Sequence, residues 1–296
     1  MAESSDQRVV FVGNRAFVWQ EALKAGMNLV QTLAVTGAYL DRQAEQVGAN
    51  VQRIASKRDL LNALASLDFD ILLCNGMPYI LPISDIARPG QRFINVHPGP
   101  LPDLRGADPV NGAILLDRDS GAAVHLMDDG IDTGPLIARS RFVVPNGADV
   151  RILYQMVFEA ERQVFRQALA RDFAPDPDLA QPTAIDTVYY TIHAADKQIQ
   201  PEDDASLIVR KVRAFATPNQ AASFRIDGVD LSTQAASIIY GSELDRMSAD
   251  LGDNQIVLTG PDFLVLNKPD GFVLLDRISG DLNSISRGAH LAAIQA

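Results

Sequence analysis

The stretch KRDLLNALASLDFDILLCNG, residues 57–76, decides how the chain is read. In residues 57–67 the leucines and alanines recur three and four positions apart, the spacing of one face of an amphipathic helix. In DFDILLCNG the run Ile71–Cys74 is apolar at every position, so both faces of the strand must be buried. A helix leading into a strand with no polar face is the repeating unit of a parallel sheet covered on both sides.

The pattern extends in both directions. RVVFVGN (8–14), VQTLAVTG (30–37), NVQRIA (50–55) and FINVH (93–97) read as further strands. WQEALKAGM (19–27) and residues 38–48 read as the helices between them. VHLMDD (124–129) and LIARSRFVV (136–144) follow as strands, and VRILYQMVFEAERQVFRQAL (150–169) is the longest helix. The expected fold is α/β, a doubly wound, mostly parallel sheet. Pro175, Pro177 and Pro182 mark RDFAPDPDLAQPTA as a linker. Beyond it, a helix at 203–216 precedes short strands punctuated by Gly, Asp and Asn, which predict a smaller, mainly β, barrel-like domain. The expected domains are therefore 1–180 and 181–296.

The chain has 296 residues, enough for two ordinary domains, and is 47% hydrophobic and 21% charged. No apolar run approaches the roughly 20 residues that span a bilayer. MAESSDQ is polar and acidic, unlike a secretory signal, and Cys74 is the single cysteine; both fit a cytoplasmic protein. A net charge of −11 argues against a broad nucleic-acid surface. There is no G-x-G-x-x-G, which leaves a dinucleotide site without support.

In an open α/β sheet ligands bind beyond the carboxyl ends of the strands, and FINVH ends there with Asn95 and His97 two residues apart, on one face. A carboxamide can donate to a developing oxyanion and an imidazole can carry a proton near neutrality. The same residues also suit a capped strand end with a surface histidine. GAAVHLMDDGIDTG (121–134) adds His125 on a strand and Asp132 in the turn after it. Asp132 could orient an imidazole and stabilise its cation, or belong to an ordinary acidic turn. A calcium loop is rejected, because counting from Asp128 the twelfth position is Arg139 where a Glu is needed. A metal held by His97, His125 and Asp132 stays open by residue type alone, with no H-x-x-x-H or C-x-x-C spacing behind it.

NVHPGPLPDLRG (95–106) followed by GAAVHLMDDGIDTG resembles the family of formyltransferases that use 10-formyltetrahydrofolate, over roughly the first 180 residues. Gly99 stands where that family commonly has Ser, and Ala122–Ala123 where Val-Thr is usual. The resemblance implies an enzyme in which Asn95 hydrogen-bonds the formyl oxygen, His97 assists proton transfer, and Asp132 sets the charge and orientation of His97. It further implies a pterin pocket along the loop Met77, Pro78, Tyr79, Ile80 and the turn holding Asp128 and Asp129, with 10-formyltetrahydrofolate as cosubstrate and no metal.

The acceptor implied by the resemblance is an amino-sugar nucleotide, dTDP- or GDP-linked, since His125 occupies a position where the tRNA enzymes usually carry Met. Residues 180–296 hold nine Lys and Arg against fifteen Asp and Glu, unlike a surface for tRNA. Arg15, Arg105 and His125 are the candidate acceptor contacts, Arg15 for the diphosphate near a helix N-terminus. Methionyl-tRNA formyltransferase is the alternative, and VRKVRAFATPNQAASFRIDG resembles the start of that enzyme's C-terminal domain. A hydroxyornithine formyltransferase, a formyltetrahydrofolate hydrolase and a non-catalytic folate-binding module complete the readings. No regulatory domain of the hydrolase type is expected before the first strand at Arg8, and a homodimer is expected by analogy.

Overall fold

The computed structural model describes residues 7–179, 181 and 187–294. Its contacts divide the chain into two units: residues 1–109, 119–142 and 155–190 form one, and 110–118, 143–154 and 191–296 the other. The boundary expected at residue 180 lies outside the described residues.

In chain order the elements up to the linker are β1 (Arg8–Gly13), α1 (Phe17–Lys24), β2 (Asn28–Val35), α2 (Tyr39–Gln46), β3 (Val51–Ile54), α3 (Lys57–Ser66) and β4 (Ile71–Asn75). Then follow α4 (Ile83–Ile86), β5 (Arg92–His97), α5 (Pro109–Leu115), β6 (Ser120–Leu126), β7 (Leu136–Phe142) and α6 (Val150–Ala170). The first unit is built on one seven-stranded sheet of order β3-β2-β1-β4-β5-β6-β7. Its first five strands run parallel, and β6 and β7 are antiparallel to their neighbours. The doubly wound, mostly parallel sheet is therefore as expected.

Alternation along each strand explains why both faces are covered. Val9 and Phe11 of β1, Leu73 of β4 and Val96 of β5 pack with Trp19 of α1 and with Val164 and Phe165 of α6. Val10 and Val12, with Leu72 and Cys74, face the other way and pack against Leu60, Ala63 and Leu64 of α3. Ser56 caps α3, its hydroxyl accepting from the Asp59 N–H at 3.1 Å. Val9 to Val12 are each no more than 1% exposed, and at roughly 1.5–3 kcal/mol per large apolar side chain their burial fixes β1 in the interior of the sheet. The order reverses between β1 and β4, so the loops following them open at the topological switch point, where α/β sheets bind ligands.

One strand begins earlier than its pattern suggests. β6 starts at Ser120, whereas only VHLMDD from Val124 carries β-branched and bulky residues. Ser120–Ala123 are small residues, and at Gly121 no side chain fits: a Cβ there would fall 2.0 Å from the Ser140 carbonyl oxygen.

The second unit contains α7 (Ala205–Ala214), β8 (Ala222–Ile226), β9 (Val229–Ile239), α8 (Ser242–Met247), β10 (Ile256–Thr259), β11 (Leu264–Lys268), β12 (Gly271–Ser279) and β13 (Leu291–Ala292). The six strands form an antiparallel sheet of order β10-β11-β12-β9-β8-β13. Its two ends meet, since Ile256 N–H donates to Ala289 O at 2.9 Å and Leu291 N–H to Asn254 O at 2.8 Å. That closure removes the free sheet edges and makes the unit barrel-like, as the strand pattern predicts. Asp204 caps α7 through the Leu207 N–H at 2.6 Å, and Ile208 and Val212 pack with Phe224, Leu266 and Val273. Among the described residues no helix is long and apolar enough to cross a membrane.

Candidate active site

Strand register assembles the first part of the site. β5 turns Ile94 and Val96 into the core it shares with α6, which leaves Asn95 and His97 on the opposite face. β6 runs antiparallel beside it with His125 opposite Asn95 and Ala123 opposite His97. The small Ala123 leaves room for the imidazole, and His125 meets the carboxamide. The turn after β6 then brings Asp132 back over the pair, with its backbone in the left-handed region at φ 54°.

Asn95, His97, His125 and Asp132 form one hydrogen-bonded cluster. His97 Nε2 lies 2.8 Å from the Leu104 carbonyl oxygen, so it is the protonated nitrogen. Its Nδ1 faces Asp132 Oδ2 across 3.5 Å. His125 donates from Nδ1 to the Leu126 carbonyl at 2.8 Å, which leaves Nε2 to accept from Asn95 Nδ2 at 3.2 Å. Asn95 Nδ2 also donates to Asp132 Oδ1 at 3.4 Å, and the Gly106 N–H donates to Asp132 Oδ2 at 3.0 Å.

Burial pushes the His97 imidazole below its ordinary value of 6.5, while Asp132 and the Leu104 carbonyl pull the other way; His125 and Arg15 add to the lowering. Burial also opposes the charge on Asp132, but His97, His125 and the Gly106 N–H outweigh it and hold that carboxyl well below the usual carboxylate range. At neutral pH the pair is a carboxylate beside a neutral ring. Both ring nitrogens of His97 face acceptors, so protonation at Nδ1 would satisfy an arrangement that the neutral ring leaves half satisfied. Chemically, the arrangement can accept a proton at Nδ1.

The remaining expected positions fall in three places. Met77 and Tyr79 are half-buried against the core on the α3 face, while Pro78 and Ile80 are exposed. Asp129 Oδ1 accepts from the Ser84 N–H at 3.0 Å, which ties the turn after β6 to the end of this loop and holds its carboxyl below the usual range. Asp128 closes its own turn, accepting from Gly130 N–H at 3.1 Å and Thr133 Oγ1 at 2.6 Å. An apolar wall beside a hydrogen-bonding turn fits a flat heterocycle with a polar edge.

Arg15 and Arg105 have partners within the protein. Arg15 donates from Nη1 to Glu161 at 2.7 Å and lies over the Phe158 ring. Arg105 is buried, donating to Tyr189 Oη at 3.1 Å and to Gln181 Oε1 at 2.7 Å. His125 stands behind Asn95 rather than in the open. Among the described residues no group of three or more His, Cys, Asp or Glu is arranged to hold a metal ion.

Glu161, Asn75 and Gln181 were not anticipated. Glu161 is fully buried, and burial raises its carboxyl above the ordinary value against the opposing Arg15 and Asn75. Asn75 Nδ2 donates to it at 3.0 Å and to the Val96 carbonyl at 3.1 Å, one residue before His97. A readable sign of Glu161 does exist: it occupies an inward position of α6 between Val157 and Phe165, where a carboxylate needs a partner. Gln181 stands in a proline-rich stretch with no periodicity, and nothing in the pattern marks it.

With the site's geometry in view, the chain can be set beside known proteins. Residues 11–169 match the family model described as Formyl transferase. The chain belongs to the formyl transferase family. The chain is similar to the methionyl-tRNA formyltransferase of Novosphingobium aromaticivorans, 31% identical over 199 residues, covering 66% of this chain and 65% of that one. The corresponding enzyme of Bordetella petrii is 27% identical over 263 residues, 87% of this chain and 76% of that one. In three dimensions it is similar to WlaRD, a sugar 3N-formyl transferase solved in the presence of dTDP and 5-N-formyl-THF, with a TM-score of 0.69 at 16% identity, covering 94% of this chain and 99% of that one. The N-formyltransferase of Helicobacter canadensis, solved with folinic acid and dTDP-3-aminofucose, gives 0.69 at 16% identity, covering 92% and 99%. The family resemblance carried by NVHPGPLP and the aspartate turn is borne out.

Proposed function

We propose that this formyl transferase moves a formyl group from 10-formyltetrahydrofolate to the primary amine of an amino-sugar nucleotide. The observation that carries the reading is the cluster of Asn95, His97 and Asp132 at the carboxyl end of β5. A bound 10-formyl folate would supply the formyl group, and the protein's own residues bind and orient it and move the proton. Met77 to Ile80 and the Asp128–Asp129 turn hold the folate's heterocycle. Asn95 turns one N–H from its long contact with Asp132 to the formyl oxygen as negative charge develops there. As the amine nitrogen bonds the formyl carbon, His97 takes a proton from it at Nδ1, directly or through one water, while Leu104 O and Asp132 stabilise the cation; as the bond between the formyl carbon and the folate's N10 breaks, His97 returns that proton to the departing N10. Asp132 stays anionic throughout.

Two observations support the sugar-nucleotide acceptor. The chain matches sugar N-formyltransferases over nearly the whole of both molecules, the barrel-like unit included. The region from residue 180 onward is acidic, with nine basic residues against fifteen acidic ones. The sequence relatives support a second reading, methionyl-tRNA formyltransferase. The test incubates the full chain with 10-formyltetrahydrofolate and either dTDP- and GDP-linked amino sugars, hydroxyornithine or Met-tRNA. Formylated sugar nucleotide is the expected product; formylation of charged tRNA alone would reject the sugar acceptor. On the same reading the enzyme works in the cytoplasm, which cell fractionation checks, and is a homodimer, which light scattering of the purified protein checks.

A further inference from the structure

Asp132 has to present its carboxylate to His97 and Asn95 from a backbone conformation that a non-glycine residue rarely adopts, φ 54° in an exposed turn. Something must hold the turn. Gln181 does so from outside it. Its Nε2 donates to the carbonyl oxygens of Asp132, at 3.1 Å, and Gly134, at 2.6 Å. Its Oε1 accepts from Arg105 Nη2 at 2.7 Å. Arg105 is in turn fixed by Tyr189 Oη at 3.1 Å and by backbone pairing, Arg105 N–H to Val188 O at 2.9 Å and Tyr190 N–H to Arg105 O at 2.8 Å. The next residue, Gly106, donates its N–H to the Asp132 carboxylate at 3.0 Å. A closed circuit results, running from the Asp132 carboxylate through Gly106 and Arg105 to Gln181 and back to the Asp132 carbonyl. Asp132 is gripped at both ends.

We propose that Gln181 is a positioning residue, which holds the Asp132 turn against Arg105 so that the carboxylate meets His97 and Asn95. The chemistry selects the side chain. Two carbonyl oxygens require two donors and a guanidinium requires an acceptor, and a neutral side chain offering two N–H donors beside a carbonyl acceptor is a carboxamide. Glutamate keeps the acceptor for Arg105 but sets a carboxylate against two carbonyls. Asparagine is one methylene short. The circuit also explains the burial of Arg105, which serves Asp132 through Gln181 and Gly106.

The role in turnover rests on the formyl-transfer reading, so the test pairs a kinetic readout with one that needs no substrate. The chain has four histidines, and His97 can be followed by NMR titration of the free protein. The groups facing its ring are Asp132, His125, Arg15 and the Leu104 carbonyl, and Asp132 is the one that favours the charged ring most. In Q181A the loosened carboxylate should let His97 titrate at lower pH than in the wild type. kcat should fall roughly 10- to 100-fold with KM for 10-formyltetrahydrofolate near the wild-type value. Q181E separates positioning from simple anchoring of Arg105. It should be as impaired as Q181A in both readouts, and a wild-type titration and kcat in Q181E would overturn the proposal. Unchanged values in Q181A would overturn it as well. If the wild type formylates no acceptor, the functional reading fails while the His97 titration still decides the role of Gln181.

Discussion

His97 donates from Nε2 to the carbonyl oxygen of Leu104 at 2.8 Å, beside Gly99. A Cβ at residue 99 would fall 2.8 Å from that nitrogen and 2.8 Å from the same carbonyl oxygen. The bond and a side chain at residue 99 compete for one space. Gly99, a departure from the serine common in the family, is thus what lets the ring lie in this orientation with Nδ1 toward Asp132. Gly99→Ser should displace the ring or the carbonyl and cost about 1–3 kcal/mol of stability through overpacking. Turnover should fall roughly 10-fold or more as the ring leaves its place. Urea denaturation and steady-state kinetics on the purified variant check both, and wild-type kinetics would show that the bond to Leu104 O is dispensable.

The protonation state of His97 sets a pH dependence. Burial lowers its folded-state value below 6.5, so the folded chain binds fewer protons than the unfolded chain between that lowered value and 6.5. Stability should therefore rise with pH across this window and decline as pH falls through it. Activity that needs the neutral ring follows the same direction, so kcat/KM should climb to a plateau with a midpoint below 6.5. A pH–rate profile with urea midpoints at matching pH values measures both, and a midpoint above 6.5 would assign the limb to another group.

Asp132→Asn isolates the carboxylate. Asparagine tolerates the left-handed backbone that residue 132 adopts and keeps the side chain's shape, so the fold should survive. Without the negative charge the His97 cation loses its partner, and turnover should drop by about 10²- to 10⁴-fold. Circular dichroism and kinetics on the same sample provide the check. Near-wild-type turnover would mean that His97 works without this carboxylate.

Legibility of the fold followed from burial. β1 and β4 are apolar at successive positions because helices cover both their faces, and that leaves an unbroken signal in RVVFVG and ILLC. The start of β6 was hidden for a different reason, since Ser120–Ala123 are small residues that carry no strand signature, and Gly121 has no room for a side chain beside Ser140. Within the site, Asn95 and His97 were readable because polar residues at the end of a buried strand conflict with the pattern around them. Asp132 was readable through its turn. Gln181 was not, because its role depends on three partners distant in sequence, Arg105, Asp132 and Gly134, and no local periodicity encodes such a meeting. Arg105 was noticed as a charge, but only its burial reveals that its partners are internal.

Glu161 offers a stability test near the site. Its carboxylate is fully buried and accepts from Arg15 at 2.7 Å and Asn75 at 3.0 Å, while the Arg15 side chain keeps 17% exposure. Glu161→Ala removes the acceptor for both donors and should destabilise the protein by about 3 kcal/mol, near the low end for a broken buried pair because Arg15 can reach water. Glu161→Gln keeps an acceptor oxygen for Asn75 or Arg15 and should cost less. Chemical denaturation orders the two variants, and equal losses would show that the helix position, not the ion pair, carries the effect.

In the barrel-like unit the buried pair is Lys211 and Asp203. Lys211 Nζ donates to Asp203 Oδ2 at 2.6 Å and to the Gln198 carbonyl at 2.7 Å, with side-chain exposures of 11% and 7% for lysine and aspartate. Asp203→Ala leaves the buried Lys211 ammonium without its counter-ion, and should cost about 3–5 kcal/mol. Removing the charge as well changes the expectation, because an apolar side chain in place of the lysine no longer has to be desolvated as an ion. Asp203→Ala combined with Lys211→Met should therefore recover most of the loss. Urea midpoints of the two single variants and the double variant close the cycle. A double variant no more stable than Asp203→Ala alone would mean that the damage comes from losing the bond that the Gln200 N–H donates to Asp203 Oδ2 at 2.8 Å, and not from the unpaired charge.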